Sequence, residues 1–512
     1  MRLRSPSLLS SVAITLVLAG AIPAAATAET LREALVRAYR DNPTLNAQRA
    51  AQRANDENVP IARSQGRPTA SAQTGLTDNF LRGGNSFTTP ERRLDAQLGV
   101  TVPLYQGGRV RNGVLAAETR VEAGQANLRG TEATTFTDVV SAYNNVIRDE
   151  AIVGLNTQNV RVLETNLRAS RDRFEVGDLT RTDVAQSEAR LSLARAQLQS
   201  AQATLISSRE NYVRLVGSPP GVLETPPALP AFPPSADGAV DIAMQDNPNL
   251  IAARRVRDAT DYDIRVARAN RRPQVSATLG QNYFNFLGSL GQGSAAGLGS
   301  VQTGNATSAG VTLSLPLYQG GRPGALVRQA QELRGQAIEQ ATAAERQVIA
   351  SARSAYAVWR SSLEVIASAE AAVNANKLSL EGVRAENSVG TRTILDILNA
   401  EQELLNSQVV LVTARRDAYV AGFALLAAMG RAEARDLGLD GGTLYDPTVN
   451  YRRVSGRIFD FDDDGQPNAV SPSTSTVPAQ DATVTRPLDP ALNSNVDRNP
   501  ALTTGASSPN RR

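Results

Sequence analysis

The apolar positions of the chain follow two different periods, and the changeover is marked each time by the same seven residues. Over residues 94–102, Leu94, Ala96, Leu98, Val100 and Val102 alternate with Asp95, Gln97, Gly99 and Thr101. A period of two with one apolar side predicts a strand. Ala309, Val311, Leu313 and Leu315 repeat the pattern against Gly310, Thr312 and Ser314, and shorter runs at 67–77 and 275–279 read as the partner strands. Immediately after "PLYQGGR", at 103–109 and again at 316–322, the spacing changes to threes and fours, as in Phe136, Val139, Tyr143 and Val146. Residues 110–175 contain no Pro. That stretch predicts one uninterrupted helix of coiled-coil type, a rod of about 100 Å at the usual rise per residue. Val176 and Gly177 end it, and a second helix over 182–215 returns alongside it as an antiparallel hairpin. Upstream, 30–40 and 44–65 read as helices separated by Asp41, Asn42 and Pro43, with Pro60 kinking or shortening the second.

The seven-residue string is part of a tandem duplication. At the same offset of 213 positions, Tyr143 falls on Tyr356, Gly177 on Gly390, Asp183 on Asp396 and Gly217 on Gly430. Farther upstream "DNPTL" at 41 recurs as "DNPNL" at 246, so the second copy carries eight extra residues before its string. The predicted organisation is a first repeat over 29–217, a Pro-rich linker over 218–236, a second repeat over 237–430 with its hairpin tip near 390, and a further segment over 431–465. Residues 466–512 are Ser, Thr, Pro, Asn and Asp with little hydrophobic content, which predicts a disordered tail. Within each string, Pro103 or Pro316 cannot donate to a ladder and predicts the strand's end. The pairs Gly107, Gly108 and Gly320, Gly321 permit a sharp change of direction, and Tyr105 and Tyr318 have the amphipathic shape favoured at a membrane surface.

Composition narrows the function. Arg2 and Arg4, an apolar run over 8–22 and the small-residue motif Ala26, Thr27, Ala28 read as a signal peptide over 1–28. The chain has no His and no Cys, which removes His-dependent triads, His-ligated metals, disulfides and an N-terminal lipid on Cys. Basic and acidic side chains number 53 and 50, with no basic cluster that would mark a nucleic-acid partner. No phosphate-binding loop is evident, so no enzyme and no cofactor is expected. Only 4% of residues are aromatic, which suits thin elements packed by small side chains better than one thick core.

Four amphipathic strands cannot close a membrane barrel, and open edges are not tolerated in lipid, so several chains must pool strands. Two chains would give eight strands and three would give twelve. The duplication, the strand-to-"GG" joints and the tip motifs "VGDLTRTDV" and "VGTRTILDI" resemble the TolC-type outer-membrane efflux and secretion channels, over residues 29–445 and in both halves. The resemblance implies a mainly α fold with a membrane β-barrel part. Long coiled-coil hairpins and four strands per chain would be pooled in a homotrimer into a twelve-stranded β-barrel and a twelve-helix α-barrel. It also implies a periplasmic adaptor protein and an inner-membrane ABC or proton-driven RND transporter as partners, with outer-membrane lipid around the barrel. The lack of a lipidated Cys resembles the unlipidated branch. A soluble periplasmic coiled-coil scaffold or adaptor is the alternative, and it has no use for amphipathic strands.

By this resemblance Val176, Gly177, Val389 and Gly390 are the adaptor-binding tips, although the same residues would serve as plain helix caps. Arg392 matches a gate arginine tied to Thr182 and Asp183 of a neighbouring hairpin. Asn387 stands where the family often has a Tyr tie. Asp396 matches a carboxylate ring at the pore constriction, and Asn399 replaces a second acid there. Thr180 with Asp183, and Thr393 with Asp396, also read as capping boxes. Asp460, Asp462 and Asp464 before Gly465 match the first half of a calcium loop, but Ser471 stands at its twelfth position, which favours a solvated acidic linker.

Overall fold

A computed structural model describes residues 28–81, 90–289, 301–439, 444–484 and 486–492. The expected signal peptide before residue 28 and the end of the tail after 492 lie outside the described residues. The duplication sets the helix ends. Helix α4 (Arg109–Glu175) and helix α8 (Arg322–Ser388) are each 67 residues long and start and stop at corresponding positions. Their returning partners are α5 (Arg181–Val216) and α9 (Ile394–Ala428). Each long helix starts after a left-handed glycine, Gly108 at φ 85° and Gly321 at φ 81°. Each hairpin turns at another, Gly177 at φ 82° and Gly390 at φ 83°. An added Cβ would touch nothing at either tip, so the backbone angle alone demands glycine there. Each returning helix opens on a complete capping box, Thr180 with Asp183 and Thr393 with Asp396. Among the described residues, no helix is long and apolar enough to cross a membrane.

Strands β1 (Thr69–Asp78), β2 (Arg92–Tyr105), β3 (Gln274–Asn285) and β4 (Thr303–Ser314) form one antiparallel sheet in sequence order. The register puts like with like. Ala72, Leu98 and Gln281 share one face with Ala70, Val100, Leu279 and Ala309, and beside them Ala277 lies opposite Val311 and Val275 opposite Leu313. The other face carries Ser71, Gly99, Gly280 and Ser308 in one row and Gln73, Gln97 and Asn282 in the next. The apolar side chains are exposed, Leu98 at 59%, Val311 at 68% and Leu313 at 66%, so this chain alone leaves one oily face of the sheet uncovered. Pro316 lies beyond the end of β4, as expected, but Pro103 does not end β2. The strand runs on to Tyr105, with a register shift between Pro103 and Tyr105. Strand β1 has already stopped at Thr69 opposite Thr101, so Pro103 has a partner on one side only and its missing N–H interrupts no second ladder.

The shorter helices are α1 (Leu31–Asp41), α2 (Pro43–Asp56), α3 (Asn58–Ser64), α6 (Ala236–Asp246) and α7 (Pro248–Ala269). They flank the rods, and α1 and α6 cover the main core, built on Phe136, Tyr143, Tyr212 and Phe423. The duplicated Asp-Asn-Pro motif does more than stop one helix and start another. Asn42 Oδ1 accepts from the N–H groups of Thr44 and Leu45, while its Nδ2 donates to Leu215 O at 2.9 Å in the last turn of α5. Asn247 makes the same set with Asn249, Leu250 and Ala428 O, the last at 2.9 Å at the end of α9. One buried side chain thus caps the start of a short helix and the end of a rod. The linker is also held at both repeats: the Tyr143 hydroxyl bonds Glu224 O and the Tyr356 hydroxyl bonds Pro234 O, each at 2.8 Å.

After α10 (Pro447–Val454) the chain departs from the expected disorder. Residues 466–484 and 486–492 run as an extended strap, tied to α2 at Ser471 and to the rods from Gln480 onward. Arg209 of α5 donates to Asp481 O and Thr483 O, each at 2.8 Å, and Arg415 of α9 pairs with Asp489 at 2.9 Å. Gln408 of α9 donates to Leu492 O at 2.6 Å. Leu492 is 2% exposed in a cluster with Leu155, Ile397, Leu404 and Leu405, and Leu488 packs beside it. Composition misled here because the strap needs few apolar residues of its own: the groove between the hairpins supplies the surface, and Ala482, Val484, Leu488 and Leu492 are enough to fill it. Replacing Asn247 by Ala removes a cap and strands the Ala428 carbonyl. The expected loss is about 1–2 kcal/mol of stability, read from chemical denaturation, with Asn42→Ala giving a similar loss through Leu215.

Candidate functional site

The tips present the most exposed apolar side chains of the rods, with Val176 80% and Val389 75% accessible beside Gly177 and Gly390. Asp183 and Asp396 serve first as caps. Hydrogen bonds from the hydroxyl and the N–H of Thr180 hold the Asp183 carboxyl below the ordinary carboxylate range. Thr393 does the same for Asp396, with the Arg392 charge adding a little. Both carboxylates are therefore ionised at neutral pH and stand at the exposed end of the molecule. Arg392 bonds inside its own hairpin, Nε to Glu386 Oε2 at 2.7 Å, and Asn387 Nδ2 donates to Arg392 O at 2.7 Å. Among the described residues of one chain, Arg392 makes no bond to Thr182 or Asp183, and Thr182 is exposed at the start of α5.

The residues that join the two hairpins lie one to two turns above the tips. Leu398 of α9, 2% exposed, inserts among Val160, Leu163, Leu167, Leu191 and Ala194 of the first hairpin. Asn399 is not free to face a pore alone, since its Oδ1 accepts from Arg190 of α5 at 2.8 Å. Glu401 is buried, and its carboxylate accepts from Arg384 Nη2 of α8 at 2.8 Å and from Asn166 Nδ2 of α4 at 3.0 and 3.1 Å. The sequence held a signal for this set. Ile394, Ile397, Leu398, Leu404 and Leu405 form the buried stripe of α9, and Glu401 occupies a stripe position where an apolar residue belongs.

The two strand-to-helix joints differ in their surroundings. At Gly107, φ is +63° and an added Cβ would lie 2.8 Å from Arg272 Cβ and 2.9 Å from Ala269 O, so both the angle and the space require glycine. Gly108 is the left-handed cap residue, and Arg272 donates to Gly107 O at 3.1 Å. Gly320 and Gly321 have the same positive φ with nothing near them, and Tyr318 is 87% exposed against 48% for Tyr105.

The model of the family described as "Outer membrane efflux protein" matches residues 34–218 and 239–431, one stretch for each repeat. The chain belongs to this family. It is 35% identical over 437 residues to the outer membrane efflux protein BepC of Brucella suis, covering 85% of this chain and 92% of that one. It is 27% identical to the outer membrane protein TolC of Vibrio cholerae, covering 82% and 94%. The Campylobacter jejuni CmeC outer membrane channel superposes with a TM-score of 0.68 at 16% identity, covering 89% of this chain and 98% of that one. The fold is that of the trimeric TolC-type channels, and the protein is an efflux or secretion channel of the outer membrane. The scaffold alternative is set aside.

The acidic run is tied internally to two arginines. Asp464 lies 2.7 Å from Arg453 and 3.1 Å from Arg457, and Asp462 is 3.3 Å from Arg457. The two arginines hold the Asp464 carboxyl down at about 2. Among the described residues, no group of acidic side chains is arranged to hold a metal. The melting temperature of the detergent-solubilised protein should be the same in millimolar calcium as in chelator; a calcium-dependent rise would restore the loop reading.

Proposed function

We propose that the protein is the passive exit duct of a tripartite system. It would work as a homotrimer, receive cargo from an inner-membrane ABC or RND transporter through a periplasmic adaptor, and use no cofactor. The observation that carries this reading is the four-stranded sheet with one exposed apolar face, one polar face and two open edges. Lipid suits the first face, water the second, and only strands of further chains satisfy the edges. Two more features support assembly. Helix α8 packs on α9, α7 and α6, and it leaves Leu333, Val358, Leu363 and Leu378 exposed. The first joint is covered by the end of α7, whereas the second is bare. By the pseudo-symmetry of the repeats, the end of α3 from a neighbouring chain is the matching cover for Gly320 and Gly321.

The exposed tips around Val176 and Val389 suit apolar docking of the adaptor. Three copies of Asp396 would ring the narrow end, with Asn399 adding no charge. Arg392 would reach Thr182 or Asp183 of an adjacent chain and help keep the tunnel shut. Asp396→Asn should lower the cation preference of the trimer in planar bilayers, most visibly at low salt. Unchanged selectivity would leave Asp396 as a cap only. Arg392→Ser should raise single-channel conductance and make cells more permeable to vancomycin while the trimer still assembles. Parent-level conductance and permeability would leave Arg392 as a solvated charge.

A further inference from the structure

Glu401 is a charge in the dry seam between two hairpins, and none of the tip contacts explains it. Its salt bridge to Arg384 stays within the second hairpin, where the two side chains are 5% and 1% exposed. Its bonds to Asn166 cross to the first hairpin. Leu398 and Asn399, three and two positions earlier on α9, cross the same seam to the Val160–Leu191 cluster and to Arg190. We propose that α9 residues 398–401 form an intrachain latch, a second lock on the tunnel mouth that is separate from Arg392. The proposal rests on the channel reading above.

The chemistry suits a lock that must release. When the hairpins part, Glu401 keeps Arg384 as its counter-ion, so no unpaired charge is created. The bonds lost are those from Asn166 and Arg190, which water can replace, together with the burial of Leu398. The closed seam also has a built-in cost. Asn166 Oδ1 is buried without a hydrogen-bond partner among the described residues, and opening would let water reach it. The closed and open arrangements are thereby brought close in free energy, as a two-state element requires. Higher up, the strap binds both hairpins, at Arg209 on one side and at Arg415 and Gln408 on the other. Parting is therefore confined to the tip end, below the strap, and the strap region acts as the pivot.

The test loosens the latch and then locks it. In Asn166→Ala and in Arg190→Ala, each with Arg392 intact, the open probability of the purified trimer in planar bilayers should rise about tenfold or more. Cells carrying either variant should become sensitive to vancomycin. For locking, Arg190→Cys and Asn399→Cys are combined and joined by a short reducible bis-thiosulfonate, which is selective because the chain has no cysteine of its own. The cross-linked trimer should stay shut and recover on reduction. If both loosened variants insert as trimers and gate like the parent, or if the cross-linked trimer opens as freely as the reduced one, the latch is overturned. A parent trimer that forms no pore at all would overturn the duct reading itself.

Discussion

Everything in this molecule follows from a sheet that cannot be completed by one chain. Lipid offers no hydrogen bonds to an open strand edge, so the N–H and C=O groups along β1 and β4 must find partners in other copies. That demand fixes the rest. The second strand of each pair, β2 or β4, must feed directly into a rod if barrel and tunnel are to share one axis, and the joint turns on a pair of left-handed glycines. The rods must also pack sideways without a thick core. Many of their buried positions are therefore small, with Ala116, Ala123, Ala126, Ala133 and Ala142 on α4 and Ala330, Ala337 and Ala341 on α8.

The duplication makes the two halves chemically alike and leaves them in different surroundings. Gly107 is packed under Arg272 and Gly320 is bare; α4 buries far more of its length than α8 does. The asymmetry is expected when one repeat is covered within the chain and the other by a neighbour. The paired asparagines, Asn42 and Asn247, lie where this difference is smallest: each ties its own repeat's returning rod to a short helix through the same bonds. They give both halves the same internal tie whatever covers them.

Much of this was legible in the sequence for simple reasons. Period-two alternation at Leu94–Val102 and a Pro-free run after Arg109 leave few alternatives, and glycines at matching offsets mark the turns. The readings that failed needed information from outside the local window. Pro103 continues its strand because β1 happens to end first, which no residue near Pro103 records. The strap looked too polar to pack because its apolar partners, Leu155, Leu404 and Leu405, lie far away in the chain. At the tips, the capping boxes were readable from four-residue spacing, whereas the bond of Arg392 to Glu386, six positions earlier across the turn, was not. Glu401 was the clearest missed signal, a carboxylate inside an apolar stripe.

The strap has one more consequence, which concerns time. It joins the two hairpins of a chain, yet it is made after both of them, since Asp481 and Leu492 follow α9 in the sequence. In chain order both hairpins precede the strap that covers the groove between them. Only a chain read through to residue 492 can cover that groove. A product truncated before the strap lacks that cover over Leu155, Leu404 and Leu405.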